Sequence, residues 1–258
     1  MTRRPNIVLV FSDQQRMDSV GAYGNRFVKT PNLDAMASNG MRFTKAFTPW
    51  PVCTPARGTM WTGAYPHAHG LIDNVYGVAN VFDTPAALVR ETVFDRLKAA
   101  GYLTAHFGKW HLGEEQPRFF DVWEECFNSR YGHWIDGLRD GVYRPDRQTD
   151  ACVAFLRRQA ASDQPFVMVQ SYYPPHDPYT APSRYYEDYR GQGVPYPGYY
   201  AAVTALDACL GRIRDALRET GLDRSTIVIY YSDHGDTFWY RREGEHKFVC
   251  FDDAIRIP

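Results

Sequence analysis

At 258 residues the chain can bury a sizeable core, either as one large α/β domain or as a domain with a small appendage. A formal net charge of -1 supplies no field for nucleic acid or an anionic membrane, and no apolar run is long enough to span a bilayer, so neither partner is expected. Five cysteines (Cys53, Cys126, Cys152, Cys209 and Cys250) are odd in number, widely spaced and without a C-x-x-C pair, which argues against a disulfide framework or a zinc knuckle.

The first five residues run straight into a strand-like segment with no signal-peptide h-region. The chain as written therefore reads as cytoplasmic, or as periplasmic or secreted if a signal has been removed. Residues 6–11 form a continuous apolar run of strand length, as expected for a strand buried on both faces of a parallel sheet. Open α/β sheets hold ligands beyond the carboxyl ends of their strands, so Asp13 and Gln14 at this end are site candidates. Their oxygens suit a hard cation, and Asp13 suits a helix N-cap equally well. Residues 30–40 read as a helix with Thr30 as N-cap, Pro31 at the first helical position and Gly40 as stop, followed by a strand-like 41–48.

Residues 51–63 pack Cys53 and Arg57 into a turn bounded by Pro51 and Pro55, with a short helix predicted over 56–62 and stopped by Gly63. Cys53 would then lie beside a helix N-terminus, where unpaired N–H groups and the Arg57 fork favour an anion; a buried structural cysteine is the plainer alternative. An amphipathic helix over 91–100 leads to a strand over 102–107, and Lys109 and His111 follow its carboxyl end. Residues 114–146 read as irregular, with Trp123, Tyr131, His133, Trp134 and Tyr143 either facing a substrate or packing a lid. A helix over 147–161 precedes a strand over 165–172 and a proline-stiffened loop that would hold His176. A long helix over 198–220 carries an apolar stripe at Val203, Leu206, Leu210, Ile213 and Leu217, and a last strand over 225–231 delivers Asp233 and His234. Gly235 lets the backbone turn away from that pair.

Taken together, Cys53-Thr-Pro-Ala-Arg57, Gly63-Ala-Tyr-Pro66, Gly108-Lys-Trp-His-Leu-Gly113 and the segment from Gly244 through Lys247 to Arg256-Ile-Pro258 resemble, in order, the motifs of the type I sulfatase family within the alkaline-phosphatase superfamily. The resemblance runs over residues 5–258. It implies an α/β fold with a largely parallel central sheet covered by helices on both faces, residues 1–258 forming the N-terminal catalytic domain, with the end of the core and the smaller C-terminal subdomain missing. It also implies that Cys53 is oxidised by a formylglycine-generating maturation enzyme and that the aldehyde hydrate is the nucleophile. Asp13, Gln14, Cys53, Asp233 and His234 would hold Ca2+, with Mg2+ or Mn2+ as substitutes. Arg57, Lys109, His111, His176 and Lys247 would serve the reaction, with Lys109, His176 and Lys247 on the sulfate. The sequence departs from the family pattern at Phe251, where Tyr is usual, and at Asp252, where Glu is usual. The activity so implied is sulfate-ester hydrolysis on a sulfated small molecule or saccharide, the aromatic loops leaning toward a carbohydrate. A phosphonate monoester or phosphodiester hydrolase of the same superfamily, a non-catalytic anion-binding scaffold and, less well, a thiolate cysteine hydrolase are the alternatives.

Overall fold

The computed structural model describes residues 4–129, 132–137, 140–238 and 246–258. Within them the chain runs β1 (Asn6–Asp13), α1 (Pro31–Asn39), β2 (Ala46–Phe47), α2 (Cys53–Thr62), α3 (Pro66–His69), α4 (Val93–Ala99), β3 (Leu103–Lys109) and β4 (Val122–Phe127). It continues α5 (Arg144–Gln159), β5 (Phe166–Pro175), α6 (Ser183–Tyr186), α7 (Pro197–Glu219), β6 (Thr226–Ser232), α8 (Asp252–Ile255) and β7 (Arg256–Ile257). Five strands form one parallel sheet in the order β4-β3-β5-β1-β6, and β2 pairs antiparallel with β7.

The apolar runs are continuous because both faces of the sheet are covered, and alternate residues feed two separate cores. On β1 and β5, Val8, Val10, Phe166 and Met168 pack with Phe155 of α5 and with Leu206, Leu210 and Ile213 of α7. Phe11, Val167 and Val169 point the other way, toward Trp61 of α2 and Phe94 of α4, joined by Trp110 and Phe119. All five apolar positions of the α7 stripe are buried, and each contributes roughly 1.5–3 kcal/mol of transfer free energy. Among the described residues no helix is long and apolar enough to cross a membrane.

Several sequence expectations are corrected. The stretch 114–146 is not wholly irregular: β4 adds an edge strand beside β3, and α5 begins there at Arg144. Consecutive Glu124 and Glu125 hide this strand, since an edge tolerates charges that a central strand would not. Trp123 packs against His106 at 5.0 Å, and Tyr143 is buried, so both serve the core rather than a substrate; Tyr131 lies outside the described residues. Thr30 does not cap α1, because its hydroxyl accepts from Gly21 N–H at 2.8 Å and donates to Asp34 at 3.1 Å. Asp207 of α7 takes its place, accepting from the backbone N–H groups of Asn32 at 3.1 Å and Leu33 at 2.8 Å. The 41–48 strand shrinks to β2, with Met41 and Phe43 exposed. The helix after Pro51 starts three residues early, at Cys53 itself.

Candidate active site

The carboxyl ends of β1, β3, β5 and β6 bring together residues far apart in sequence. Asp13 and Gln14 leave β1, Lys109 ends β3 with His111 just beyond, His176 follows β5, and Asp233 and His234 follow β6. Two glycines make the approach possible. A Cβ on Gly108, whose φ is +93°, would meet Ser171 O at 2.0 Å, and one on Gly235 would meet Asp253 O at 2.0 Å.

Cys53 occupies the first turn of α2 and is 1% exposed. Its Sγ lies 3.4 Å from His234 Nε2, 3.6 Å from Asp13 Oδ1 and 3.7 Å from Lys247 Nζ. Burial alone would raise the thiol's pKa, but Lys109, Lys247 and His234 hold it well below the ordinary value. His234 Nδ1 lies 2.8 Å from Gly235 O and its Nε2 faces position 53; burial lowers the imidazole's pKa, but the Asp233 and Cys53 charges outweigh it and raise it above the ordinary value.

Arg57 does not reach out as a free anion fork. Its Nη2 donates to Asp13 Oδ2 at 2.8 Å and lies 3.1 Å from Asp233 Oδ2, and its Nε donates to Asp233 Oδ2 at 3.2 Å. Its Nη1 donates to Lys109 O at 2.8 Å and Ser171 Oγ at 2.9 Å. The guanidinium is fully buried and clamps the two acids, with Phe11 stacked 4.9 Å beneath it. Asp13 also accepts from Lys109 Nζ at 2.6 Å. Burial and Cys53 oppose ionisation of Asp13, yet Lys109, His176 and Arg57 outweigh them and hold its carboxyl well below the usual range. Asp233 goes the other way, to about 6, because burial and the Asp13 charge outweigh Arg57 and His234.

Lys247 approaches from the other side, donating to Gln14 Oε1 at 3.1 Å, with His176 Nε2 also 3.1 Å from its Nζ. His176 Nδ1 lies 2.9 Å from Asp177 Oδ1, and although burial and the Lys247 charge oppose it, this pairing with the Cys53 and Asp13 charges raises its pKa to about 9; its ring stacks on Tyr173 at 4.7 Å. His111 is buried with its ring 5.5 Å from Tyr76. Burial first, then the Lys109 charge, lowers its pKa to about 4 against the opposing pull of Cys53, so it is neutral at pH 7. The catalytic and metal-site candidates singled out from the sequence therefore all fall in one cluster, buried except for the partly exposed His176. Gly244 and Glu245 of the last motif lie outside the described residues.

A divalent cation fits this cluster. Ligand atoms of Asp13, Cys53, Asp233 and His234 lie within 4.8 Å of one another, all buried. Two fully buried carboxylates repel each other, adding to the burial that raises the Asp233 pKa, and a cation between them would offset both. The soft Cys53 sulfur is the odd member of a hard donor set, and an oxygen at that position would complete it. Sequence reasoning gave Asp236 no role, although it stands one residue past Gly235. It accepts from Gln14 Nε2 at 2.6 Å, and the only signal for it was an acid immediately after the Asp-His-Gly turn.

A family profile described as Sulfatase matches residues 5–258. The chain is 32% identical over 296 residues to an ulvan-active sulfatase of Formosa agariphila, covering 99% of this chain and 55% of that protein. It is 28% identical to an N-acetylgalactosamine-6-sulfatase of Rattus norvegicus, covering 98% of this chain and 56% of that protein. The crystal structure of yidJ from Bacteroides fragilis superposes with a TM-score of 0.83 at 29% identity, covering all of this chain and 68% of that one. The chain thus spans about half the length of the curated relatives it matches. Its parallel sheet, the cysteine-headed helix at the strand ends and the match across nearly every residue lead to one conclusion: the chain belongs to the sulfatase family.

Proposed function

We propose that residues 1–258 form the catalytic domain of a sulfuric ester hydrolase that uses water to split a sulfated saccharide into alcohol and inorganic sulfate. The observation that carries this reading is the position of Cys53, buried at the first turn of α2 between His234 Nε2 and Lys247 Nζ and against the Asp13–Asp233 pair. A formylglycine made from Cys53 would supply the nucleophilic oxygen. Asp13, Gln14, Asp233 and His234 would hold a cation, Ca2+ by the chemistry of the oxygen donors, which supplies charge neutralisation at the reacting oxygens.

The chain's own residues supply the rest. Arg57 holds both carboxylates in register and so orients the site without touching substrate. Lys247, with His176 behind it, presents N–H donors to the anionic ester on the side of position 53. His234 Nε2 faces the group at position 53 at 3.4 Å and is the nitrogen it would lend to the cation. His111, neutral at pH 7, accepts more readily than it donates, which suits a base better than an acid for the leaving alcohol. The saccharide assignment draws on the relative named for N-acetylgalactosamine 6-sulfate.

The decisive test is the mass of the peptide spanning Cys53 after production together with a formylglycine-generating enzyme, followed by parallel assays on sulfated sugars, aryl sulfates and aryl phosphonate esters. Conversion of the thiol to an aldehyde with sulfate release is the expected result. Faster turnover of the phosphonate would move the assignment to phosphonate monoester hydrolysis, a reading compatible with the amide of Gln14 standing beside Asp13. Ca2+ binding with no turnover after conversion would leave an anion-binding scaffold.

A further inference from the structure

Gln14 ends in an amide whose two heads are chemically opposite, and only its oxygen can face a cation. Half a turn of the amide exchanges Oε1 and Nε2 with almost no change in shape, so the surroundings must decide which faces where. Three neighbours bear on it, one of them His246, whose Nδ1 lies 3.2 Å from Nε2. On one side Lys247 donates to Oε1 at 3.1 Å, and an ammonium has nothing with which to accept. On the other, Asp236 Oδ2 accepts from Nε2 at 2.6 Å, and a carboxylate has nothing with which to donate.

Asp236 is itself held rigidly. Its Oδ2 accepts a second bond from the Tyr179 hydroxyl at 2.5 Å, and its Oδ1 accepts from Phe238 N–H at 2.8 Å. Its backbone N–H donates to Asp253 O and its carbonyl accepts from Arg16 Nη1, both at 2.8 Å. The side chain is fully buried. The Lys247 side of the amide is also the side of Cys53, whose sulfur gathers with ligand atoms of Asp13, Asp233 and His234.

We propose that Asp236 is a positioning residue for the cation site: it locks the Gln14 amide with nitrogen outward and oxygen toward Cys53 and the Asp13–Asp233 pair. This inference rests on the cation reading above. Asp236 thus orients the ligand instead of being one.

The charge swap tests it. Calcium affinity is measured by titration calorimetry on the purified protein, on Asp236→Asn, and on the double variant Gln14→Glu with Asp236→Asn. Once position 236 carries an amide able to donate, the Gln14 amide loses its shortest lock, with His246 Nδ1 at 3.2 Å remaining beside Nε2, and Ca2+ binding is expected to weaken about 10- to 100-fold, as for other groups that orient metal ligands. In the double variant the net charge of the parent is restored and the carboxylate at position 14 has two equivalent oxygens, so at least half of that loss on a logarithmic scale should return. Parent-like affinity in Asp236→Asn, or equal losses in the single and double variants, would overturn the inference and leave the cation reading standing. If Asp236→Asn does not fold, the double variant decides alone: recovery of folding and Ca2+ binding supports the lock, and failure of either refutes it. Absence of Ca2+ binding by the parent would remove the cation reading, and this inference with it.

Discussion

Replacing Arg57 by Ala removes the one group that touches both buried acids. Asp13 would keep its ion pair with Lys109 at 2.6 Å, but Asp233 would be left with the backbone N–H groups of Gln14 and His234, at 3.0 and 2.9 Å, and the His234 imidazole at 3.8 Å. Removing one partner from a buried charge network costs about 3–5 kcal/mol, because a carboxylate is left without compensation in a medium that solvates it poorly. For a chain of this size each kcal/mol lowers the melting temperature by roughly 2–4 °C, so a fall of roughly 6–20 °C is expected in differential scanning calorimetry. Arg57→Lys should fall between the parent and Arg57→Ala, since one ammonium lacks the planar fork that spans both acids. Added Ca2+ should recover part of the loss, by about 2.7 kcal/mol once its concentration reaches a hundred times its dissociation constant. A melting temperature for Arg57→Ala within about 2 °C of the parent would show that the acid pair is not held by this residue, and the electrostatic reasoning would be refuted.

Cys53→Ala should abolish sulfate release while leaving the circular dichroism spectrum and melting temperature close to the parent's; retained hydrolysis would remove position 53 as the source of the nucleophile. Leu210→Ala, deep between α7 and the sheet, should cost about 2–5 kcal/mol in urea unfolding with an unchanged m-value. His133 is buried and neutral, with its pKa lowered from 6.5 to about 4 chiefly by burial. A depressed pKa means that its contribution is fully present above 6.5 and is lost as the pH falls toward 4, by up to about 3 kcal/mol. Unfolding followed across that window should therefore show a flatter acid limb for His133→Gln than for the parent, and identical limbs would contradict the assignment.

Much of the fold was legible because a doubly covered parallel sheet writes itself as uninterrupted apolar runs ending in polar residues. The runs at 6–11 and 165–172, and the Asp13, His176 and Asp233 that follow, could be read directly. The strand β4 could not, because an edge exposes one side and its Glu124 and Glu125 erase the pattern. Asp207 as the cap of α1 was equally hidden: the donor and acceptor are about 175 residues apart, and local sequence records only the nearer Thr30. Arg57 was found but its use was misjudged, since residue type predicts an anion partner without saying whether that anion is a substrate or two aspartates. Asp236 was visible only as another acid in a turn, because the bond that gives it meaning belongs to Gln14, more than 200 positions earlier.

The strand order carries a consequence for the way the chain is made. β1 lies between β5 and β6, pairing Ile7 with Val167 and with Ile227. During synthesis at about 5–20 residues per second, β1 leaves the ribosome roughly 10–30 s before its first neighbour exists. Through that interval the most apolar strand of the sheet has nothing to pair with, and Asp13 has no Asp233 to define its charge state. Truncated chains that end before residue 166 should therefore gain little cooperative structure, and nascent chains of that length should be avid clients for chaperones that hold exposed apolar segments.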